Sequence, residues 1–389
     1  MTWSHPVAPS ATGTMIILGL ETSCDETAAA VVGGGTQVRS NVVWSQHELH
    51  EKYRGVVPEI ASRAHLERLW PVVQAAIREA DVTIEDIDAI AVGHRPGLIG
   101  SLIVGVSAAA ALAWSTGKPL IGVDHVQAHL WAAYLRQSSP CNEDDLLPET
   151  VNATSTSRPT HQPKDPTCDY PALGLVVSGG HSSIYLVHSP QQMQLLGRTI
   201  DDAVGEAYDK AAVILGLGYP GGPALDKLAQ TGNAFAVDPL PRSMLGPDSL
   251  DFSFSGLKTA LLYRVRGHPT GRGSAASFAR STSELTDVER RDLAAAFQDA
   301  AIDALIQKLQ RAAVQLEVHS IVIGGGVSAN SLLRQRGTAL GDRLGLPVRI
   351  PVPQLCLDNA AMIAGLAHAH LNSGHINDLD LPAIATTDS

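Results

Sequence analysis

The chain has 389 residues, of which 44% are hydrophobic, 17% charged and only 4% aromatic, with 35 glycines. That length accommodates two domains of ordinary size, and the composition predicts α/β cores packed by Ala, Val, Leu and Ile with close backbone approaches. A formal net charge of −11 excludes a protein that coats nucleic acid or an anionic membrane by bulk electrostatics.

Local basic groups, Arg264, Arg266, Arg272 and Arg280 and then Arg334, Arg336 and Arg343, are expected to be solvated surface charge. Cys24, Cys141, Cys168 and Cys356 show no C-x-x-C spacing and no disulfide framework, so a reducing compartment is expected. Residues 1–14 lack the basic and apolar regions of a signal peptide and read as a disordered extension. The longest strongly apolar run, 102–114, falls short of the roughly 20 residues of a membrane span, which predicts a soluble, cytoplasmic protein.

The first element is an apolar run at 16–20, a tip of small polar residues at 21–27, and a second apolar run at 28–32, which together predict a β-hairpin. The same device returns at 173–177, Ser178-Gly179-Gly180-His181-Ser182-Ser183 and 184–187. Gly, Ser and Thr at such a tip let backbone N–H groups and hydroxyls converge on phosphate or carboxylate oxygens. Two copies predict two related lobes facing each other across a cleft.

Between the hairpins, Ile60, Ala64, Leu69, Val72, Val73, Ala76 and Ile77 mark a helix over 58–80, or a helix pair broken near Pro71. A buried strand at 87–92, a turn at 93–97, a small-residue helix at 101–114 and a strand at 119–123 follow, the last running into a helix that begins near Asp124. This alternation predicts a mostly parallel sheet with crossover helices. Residues 138–171 turn to Ser, Thr, Pro, Asn and Asp and read as an exposed insertion. After the second hairpin come helices at 201–215 and 224–229, a Gly/Ser/Thr/Arg-rich loop at 267–283, a helix at 287–314, a strand at 320–323 and an Ala-rich helix at 358–371.

His125 and His129 stand one helical turn apart, the spacing with which two imidazoles bind one metal; two histidines on a partly exposed helix face are the alternative. They follow a strand's C-terminal end, where open α/β sheets place ligands. A third ligand is needed, and Asp358, opening a helix after Pro351, Pro353 and Cys356, is the best acidic candidate. Metalloproteases of the H-E-x-x-H type carry a general base after the first His, and Val126 stands there instead.

Gly324-Gly325-Gly326-Val327-Ser328-Ala329-Asn330 lies between a strand and a helix, so backbone can approach a ligand, the helix N-terminus faces an anion and Asn330 can bond a sugar hydroxyl. The spacing matches neither a Walker loop nor a dinucleotide fingerprint. Residues 201–210 place carboxylates along one helix, either as a solvated face or, given Ala203, Gly205 and Ala207, as a small-sided helix approached closely by backbone or ligand. Gly221, Gly222 and Asp226 follow.

Together, Glu21-Thr-Ser-Cys-Asp-Glu-Thr27, Pro96-Gly-Leu-Ile-Gly-Ser-Leu102, His125-x-x-x-His129, Val177-Ser-Gly-Gly-His181, Ile200-Asp-Asp-Ala-Val-Gly-Glu-Ala-Tyr-Asp-Lys210, Gly218-Tyr-Pro-Gly-Gly222, Phe252-Ser-Phe-Ser-Gly-Leu-Lys258, Gly324-Gly-Gly-Val-Ser-Ala-Asn330 and Asp358-Asn-Ala-Ala-Met362 resemble the TsaD family, also called YgjD, Gcp or Kae. The resemblance runs from residue 15 to about 371. It implies the two-lobed actin/Hsp70/hexokinase-like (ASKHA) ATPase fold with duplicated mixed-sheet lobes. Lobe I would hold 15–137 and about 356–371, lobe II 172–355, with 138–171 an insertion and 372–389 a tail.

The implied activity is transfer of threonylcarbamoyl from threonylcarbamoyl-AMP to N6 of the adenosine just 3′ of the anticodon in tRNAs reading codons that begin with A, with AMP released. By the same resemblance His125, His129 and Asp358 would hold one Fe2+ or Zn2+ ion. Val177, Ser178, Gly179, Gly180, His181, Asp209, Gly222, Asp226 and Asn330 would line the site for the donor and its ATP/AMP-type nucleotide. No general base is singled out; Asp25 and Glu26 are candidates. Implied partners are tRNA, an inactive TsaB-like paralogue paired through apolar residues of lobe I helices, a small TsaE-like ATPase, and a TsaC-like enzyme that makes the adenylate. Arg95, the 138–171 insertion and the N-terminal extension depart from the family pattern. The rival readings are a metallopeptidase and a non-catalytic actin-like scaffold or sugar-kinase-like phosphotransferase.

Overall fold

Both predicted hairpins form, and each seeds a sheet. In the computed structural model, which describes residues 14–53, 55–137, 170–218, 220–243, 245–246, 248–270 and 278–386, β1 (Ile16–Glu21) pairs antiparallel with β2 (Glu26–Gly33), and β2 with β3 (Gln37–Ser45). The extension up to residue 13, the insertion over 138–169 and loop residues 271–277 lie outside the described residues. A short helix α1 (His47–His50) leads to α2 (Pro58–Glu79), then β4 (Ala89–Arg95), α3 (Ile99–Thr116), β5 (Leu120–Asp124), α4 (His125–Trp131) and β6 (Arg136–Gln137).

The second half follows as β7 (Ala172–Val177), β8 (Ser182–Ser189), β9 (Gln192–Arg198), α5 (Val204–Ile214), α6 (Gly221–Ala229), α7 (Ser255–Arg266) and α8 (Asp287–Gln315). It closes with β10 (Ser320–Gly324), α9 (Ser331–Leu344), β11 (Val348–Arg349) and α10 (Ala360–Asn372).

The sheet orders are β5-β4-β1-β2-β3-β6 and β11-β10-β7-β8-β9. In the first, β5, β4 and β1 run parallel while β2 and β3 alternate. In the second, β11, β10 and β7 run parallel while β8 and β9 alternate. Five strands thus repeat in the same order and sense. Each sheet is mixed rather than mostly parallel, because a hairpin occupies its centre and only the outer strands arrive through crossover helices.

Pro71 does not break α2, which runs unbroken for 22 residues. The proline sits on the solvent side, where the carbonyl it leaves unbonded can take water, while Leu69, Val72, Val73 and Ala76 hold the opposite face in the core. α3 is longer than the predicted 101–114, 18 residues, because Ile99 and Gly100 join it at one end and Ser115 and Thr116 at the other; by length and composition it could cross a membrane, but Leu102, Gly105, Val106, Ala109 and Ala113 are buried against the sheet and α2.

α4 and α10 lie between the two sheets. One apolar core joins Ile17, Ala28 and Ala91 of the first sheet to Val176 and Val322 of the second through Val126, Trp131, Met362 and Ile363. The approach is close enough that a Cβ on Gly19 would meet the Ala360 carbonyl, and one on Gly324 the His129 carbonyl. The residues that open α4 and precede α10 therefore sit where the lobes meet. The segment after α10 returns to the first sheet: Asn377 N–H donates to Leu120 O at 2.8 Å and Ile384 N–H to His94 O at 2.9 Å.

Candidate functional site

The two hairpin tips, Ser23 to Glu26 and Ser178 to His181, face one cleft of about 960 Å³ that His125, Asp209, Gly326 and Asp358 also line. α4 starts abruptly at β5 because Asp124 caps it, its Oδ1 accepting from Val126 N–H at 2.9 Å and Gln127 N–H at 3.2 Å. The cap makes His125 the first helical residue, lining the cleft, and sets its i+4 neighbour His129 wholly buried behind it, with ring centroids 4.5 Å apart. Asp124 Oδ2 in turn lies 3.2 Å from Arg95 Nε, so Arg95 braces this cap.

Asp358 does not open α10 itself. It sits two residues ahead, where Asn359 caps the helix by accepting from Met362 N–H at 3.0 Å and ties the preceding turn by donating to Leu357 O at 2.8 Å. That turn carries Asp358 Oδ1 to 3.1 Å from His129 Nε2 and 3.6 Å from His125 Nε2, and the ligand atoms of the three side chains lie within 4.8 Å of one another.

Electrostatics follow from this crowding. Burial raises the Asp358 carboxyl, but the His125, His129 and His181 rings outweigh it and hold the group well below the usual carboxylate range. Burial lowers His125, yet the Asp358 and Glu21 carboxylates lift it to about 9. His129 is lowered by burial and by its charged neighbour His125. Among the described residues the wholly buried His129 has no hydrogen-bond partner for Nδ1, and its Nε2 meets only Asp358 Oδ1. Two imidazoles and an ionised carboxylate brought together in this way fit a first-row divalent ion such as zinc or iron.

The second tip is pinned by its own backbone. Ser178 N–H donates to His181 O at 2.8 Å, His181 N–H to Ser178 Oγ at 3.1 Å, and Gly205 N–H to Ser178 O at 3.2 Å. A Cβ on Gly205 would lie 2.6 Å from that same Ser178 carbonyl, which is why α5 is small-sided: the tip rests on it. Gly179 and Gly180 face open space. His181 is pushed down to about 4 by burial and by the His125 and His129 charges, so it stays neutral at the cleft floor. Val177 is wholly buried at the end of β7, behind the tip rather than in the cleft.

Among residues 201–210 the carboxylates divide. Asp201 precedes α5 and accepts from Phe254 N–H at 2.8 Å and the Ser253 and Ser255 hydroxyls at 2.5 and 2.6 Å, fixing the start of α7. Asp202 bridges Lys210 at 2.9 Å and Lys258 at 2.7 Å. Asp209 lines the cleft, and its Oδ1 accepts from Gly221 N–H at 3.0 Å and Gly222 N–H at 3.2 Å.

Asp226 and Asn330 come together behind the cleft rather than in its lining. Asn330 Oδ1 caps α9 by accepting from Leu333 N–H at 3.0 Å, and its amide donates to Gln298 Oε1 at 3.0 Å and Asp226 Oδ1 at 3.2 Å. Asp226 also takes the Ser331 hydroxyl at 2.7 Å and the Gln298 amide at 3.0 Å. Gln298, at the centre of this network, carried no signal in the sequence. Nor did the apolar wall of the cleft, Val213, Leu217 and Leu357. At the first tip, burial and the Asp358 and Asp25 charges push Glu26 well up, and burial pushes the Cys24 thiol far above its ordinary value.

A family model described as tRNA N6-adenosine threonylcarbamoyltransferase (TsaD) matches residues 37–144 and 151–365. Curated relatives of that name include one from Symbiobacterium thermophilum, 46% identical over 370 residues and covering 95% of each chain. Another, from Trichlorobacter lovleyi, is 46% identical over 372 residues, with 96% of each chain covered. Among solved structures, HypF of T. kodakarensis aligns with a TM-score of 0.54 at 15% identity, over 95% of this chain and 49% of that one, a likeness of fold alone. The fold is the actin/Hsp70/hexokinase-like one, which the duplicated five-strand order also displays. The chain belongs to the TsaD family of tRNA N6-adenosine threonylcarbamoyltransferases.

Proposed function

We propose that this chain transfers the threonylcarbamoyl group of threonylcarbamoyl-AMP to N6 of adenosine 37 in tRNAs reading codons that begin with A. The observation that carries the reading is the cluster of His125, His129 and Asp358, whose members His125 and Asp358 line the same cleft as the glycine tip Ser178–Gly180. The adenosine N6 attacks the carbamoyl carbon, the bond from that carbon to the phosphate oxygen breaks, AMP departs and N6 loses one proton. His125, His129 and Asp358 would hold one Fe2+ or Zn2+ ion, which supplies a Lewis acid and a template for the donor's anionic end.

The chain's own groups do the rest. Gly179 and Gly180 offer open backbone at the tip for phosphate oxygens, and Val213, Leu217 and Leu357 give the nucleotide an apolar wall. Holding donor and acceptor in one cleft supplies the proximity that a bimolecular acyl transfer lacks in water. Asp25 and Glu26, both on the first tip and lining the cleft, are the candidates to accept the N6 proton. Asp209 of α5 with Gly222 of α6, and Asp226 of α6 with Asn330 at the start of α9, support the nucleotide side.

The acidic net charge leaves tRNA docking to be shared with partners, and the reading includes a TsaB-like paralogue, a TsaE-like ATPase and a TsaC-like supplier of the adenylate, all in the cytoplasm. Exposed Leu66 and Trp70 on α2 with Ile103 and Trp114 on α3 support pairing of the paralogue through lobe I helices. The peptidase alternative lacks its base, since Val126 is buried where a glutamate is required.

The experiment is mass spectrometry of nucleosides from unmodified tRNA incubated with the protein, preformed threonylcarbamoyl-AMP and those partners, beside a His125→Ala sample. Threonylcarbamoyladenosine in the wild-type digest alone supports the reading. Its absence from both, with nucleotide still bound, favours the scaffold or kinase alternative.

A further inference from the structure

Glu21 ends β1 in the middle of the first sheet and is wholly buried. A carboxylate there needs partners for its charge. It has two, and they use different oxygens. Ser23 N–H donates to Oε1 at 2.5 Å, and His125 Nδ1 lies 3.1 Å from Oε2, with the Ser23 hydroxyl 3.2 Å from the same ring nitrogen. A Cβ on Gly93 would stand 2.6 Å from Oε2, so β4 is bare where the carboxylate needs room.

The amide of Ser23 can only donate, which commits Oε1 as an acceptor. Oε2 is an acceptor as well, so the ring nitrogen facing it carries hydrogen. When His125 gives up a proton to bind an ion, the lone pair is therefore on Nε2, the nitrogen that faces Asp358 at 3.6 Å. Which ring nitrogen of a histidine can bind a metal is set by what the other one donates to.

From this we infer that Glu21 is the positioning residue of the metal centre: it holds His125 by Nδ1–H and presents Nε2 to the ion. The inference rests on reading His125, His129 and Asp358 as that centre. A glutamine could not make the same two contacts. A glutamine has one oxygen and one NH2, and whichever way it is turned the NH2 meets a donor, either Ser23 N–H or His125 Nδ1–H. A residue needed only to close the hairpin tip would be served by one acceptor, and glutamine would suffice.

The test compares full-length wild type, Glu21→Gln and His125→Ala for Zn2+ affinity by competition with a chromophoric chelator, with a thermal melt on each. The expected result is that wild type binds one Zn2+ and that Glu21→Gln melts within a few degrees of it but binds Zn2+ about 10- to 100-fold more weakly, as loss of an outer partner does elsewhere. Wild-type affinity in Glu21→Gln overturns the role of Glu21 while leaving the metal centre standing. No Zn2+ bound by wild type overturns the metal reading itself.

Should Glu21→Gln not fold, long-range proton–nitrogen spectra of Zn2+-loaded, histidine-labelled wild type decide the matter, with the His125 signals assigned by their loss in His125→Ala. The proton on Nδ1 with Nε2 metal-bound is the expected pattern. The reverse pattern overturns the inference.

Discussion

His129 Nε2 and Asp358 Oδ1 lie 3.1 Å apart, although the whole second lobe is inserted between them in the chain. The pair forms only because α4 and α10 pack together between the two sheets, so the centre reports correct assembly of both lobes.

Removing one member of the triad should therefore abolish metal retention without unfolding the protein. Asp358→Ala and His129→Ala are expected to lose one metal ion per chain by elemental analysis and at least 100-fold in threonylcarbamoyl transfer. Asp358 is partly accessible and its loss leaves a cleft-facing gap, so its melting temperature is expected within a few degrees of the metal-free wild type. Full activity in either variant contradicts the assignment.

Gln298 of α8 ties Asp226 of α6 to Asn330 at the N-terminus of α9. Gln298→Leu strips Asp226 and Asn330 of a buried partner each, an expected loss of about 1–3 kcal/mol in urea unfolding. If that network supports the nucleotide side of the cleft, KM for the donor rises while bound metal stays at one ion per chain. An unchanged KM would restrict Gln298 to a folding role.

Stability should fall with acid in a window set by His370. Burial, then the charges of His375, His94 and Arg95, push this ring from 6.5 down to about 4, so between those values the unfolded chain binds a proton that the native state refuses. The stabilising contribution is present above pH ~6.5 and disappears as pH falls towards ~4. Calorimetry between pH 7.5 and 5 is expected to show a falling melting temperature, and a shallower fall for His370→Leu. Equal slopes would assign the acid sensitivity to other buried histidines such as His65 and His94.

Features set by local chemistry were legible in the sequence. The hairpin tips announce themselves through small polar residues between apolar runs, and the His125–His129 spacing and the strand-end position of Asp124 give the helix and its cap. Asp358 could be picked out as an acidic residue opening a late helix, but its true setting, immediately before the Asn359 cap, depends on the turn at Leu355 to Leu357.

What the sequence hid depends on distant partners. Glu21 stands inside a recognisable motif, yet its role comes from His125, 104 positions away. Asn330 reads as a free amide beside glycines, whereas Asp226 and Gln298, brought in by α6 and α8, occupy its donors. Pro71 looks like a helix breaker because composition does not say which side of a helix faces water. Asp201 reads as helical, but the hydroxyls of Ser253 and Ser255 claim it as an anchor for α7.

The central claim is that transfer occurs at the metal centre between the lobes. The most direct test strips the protein with chelator and follows threonylcarbamoyladenosine formation by mass spectrometry as Fe2+ or Zn2+ is titrated back in the presence of tRNA, donor and partners. Product formation that rises with added ion and saturates at one per chain, with no rise in Asp358→Ala, is the predicted result. Undiminished product from the stripped wild-type protein would contradict it.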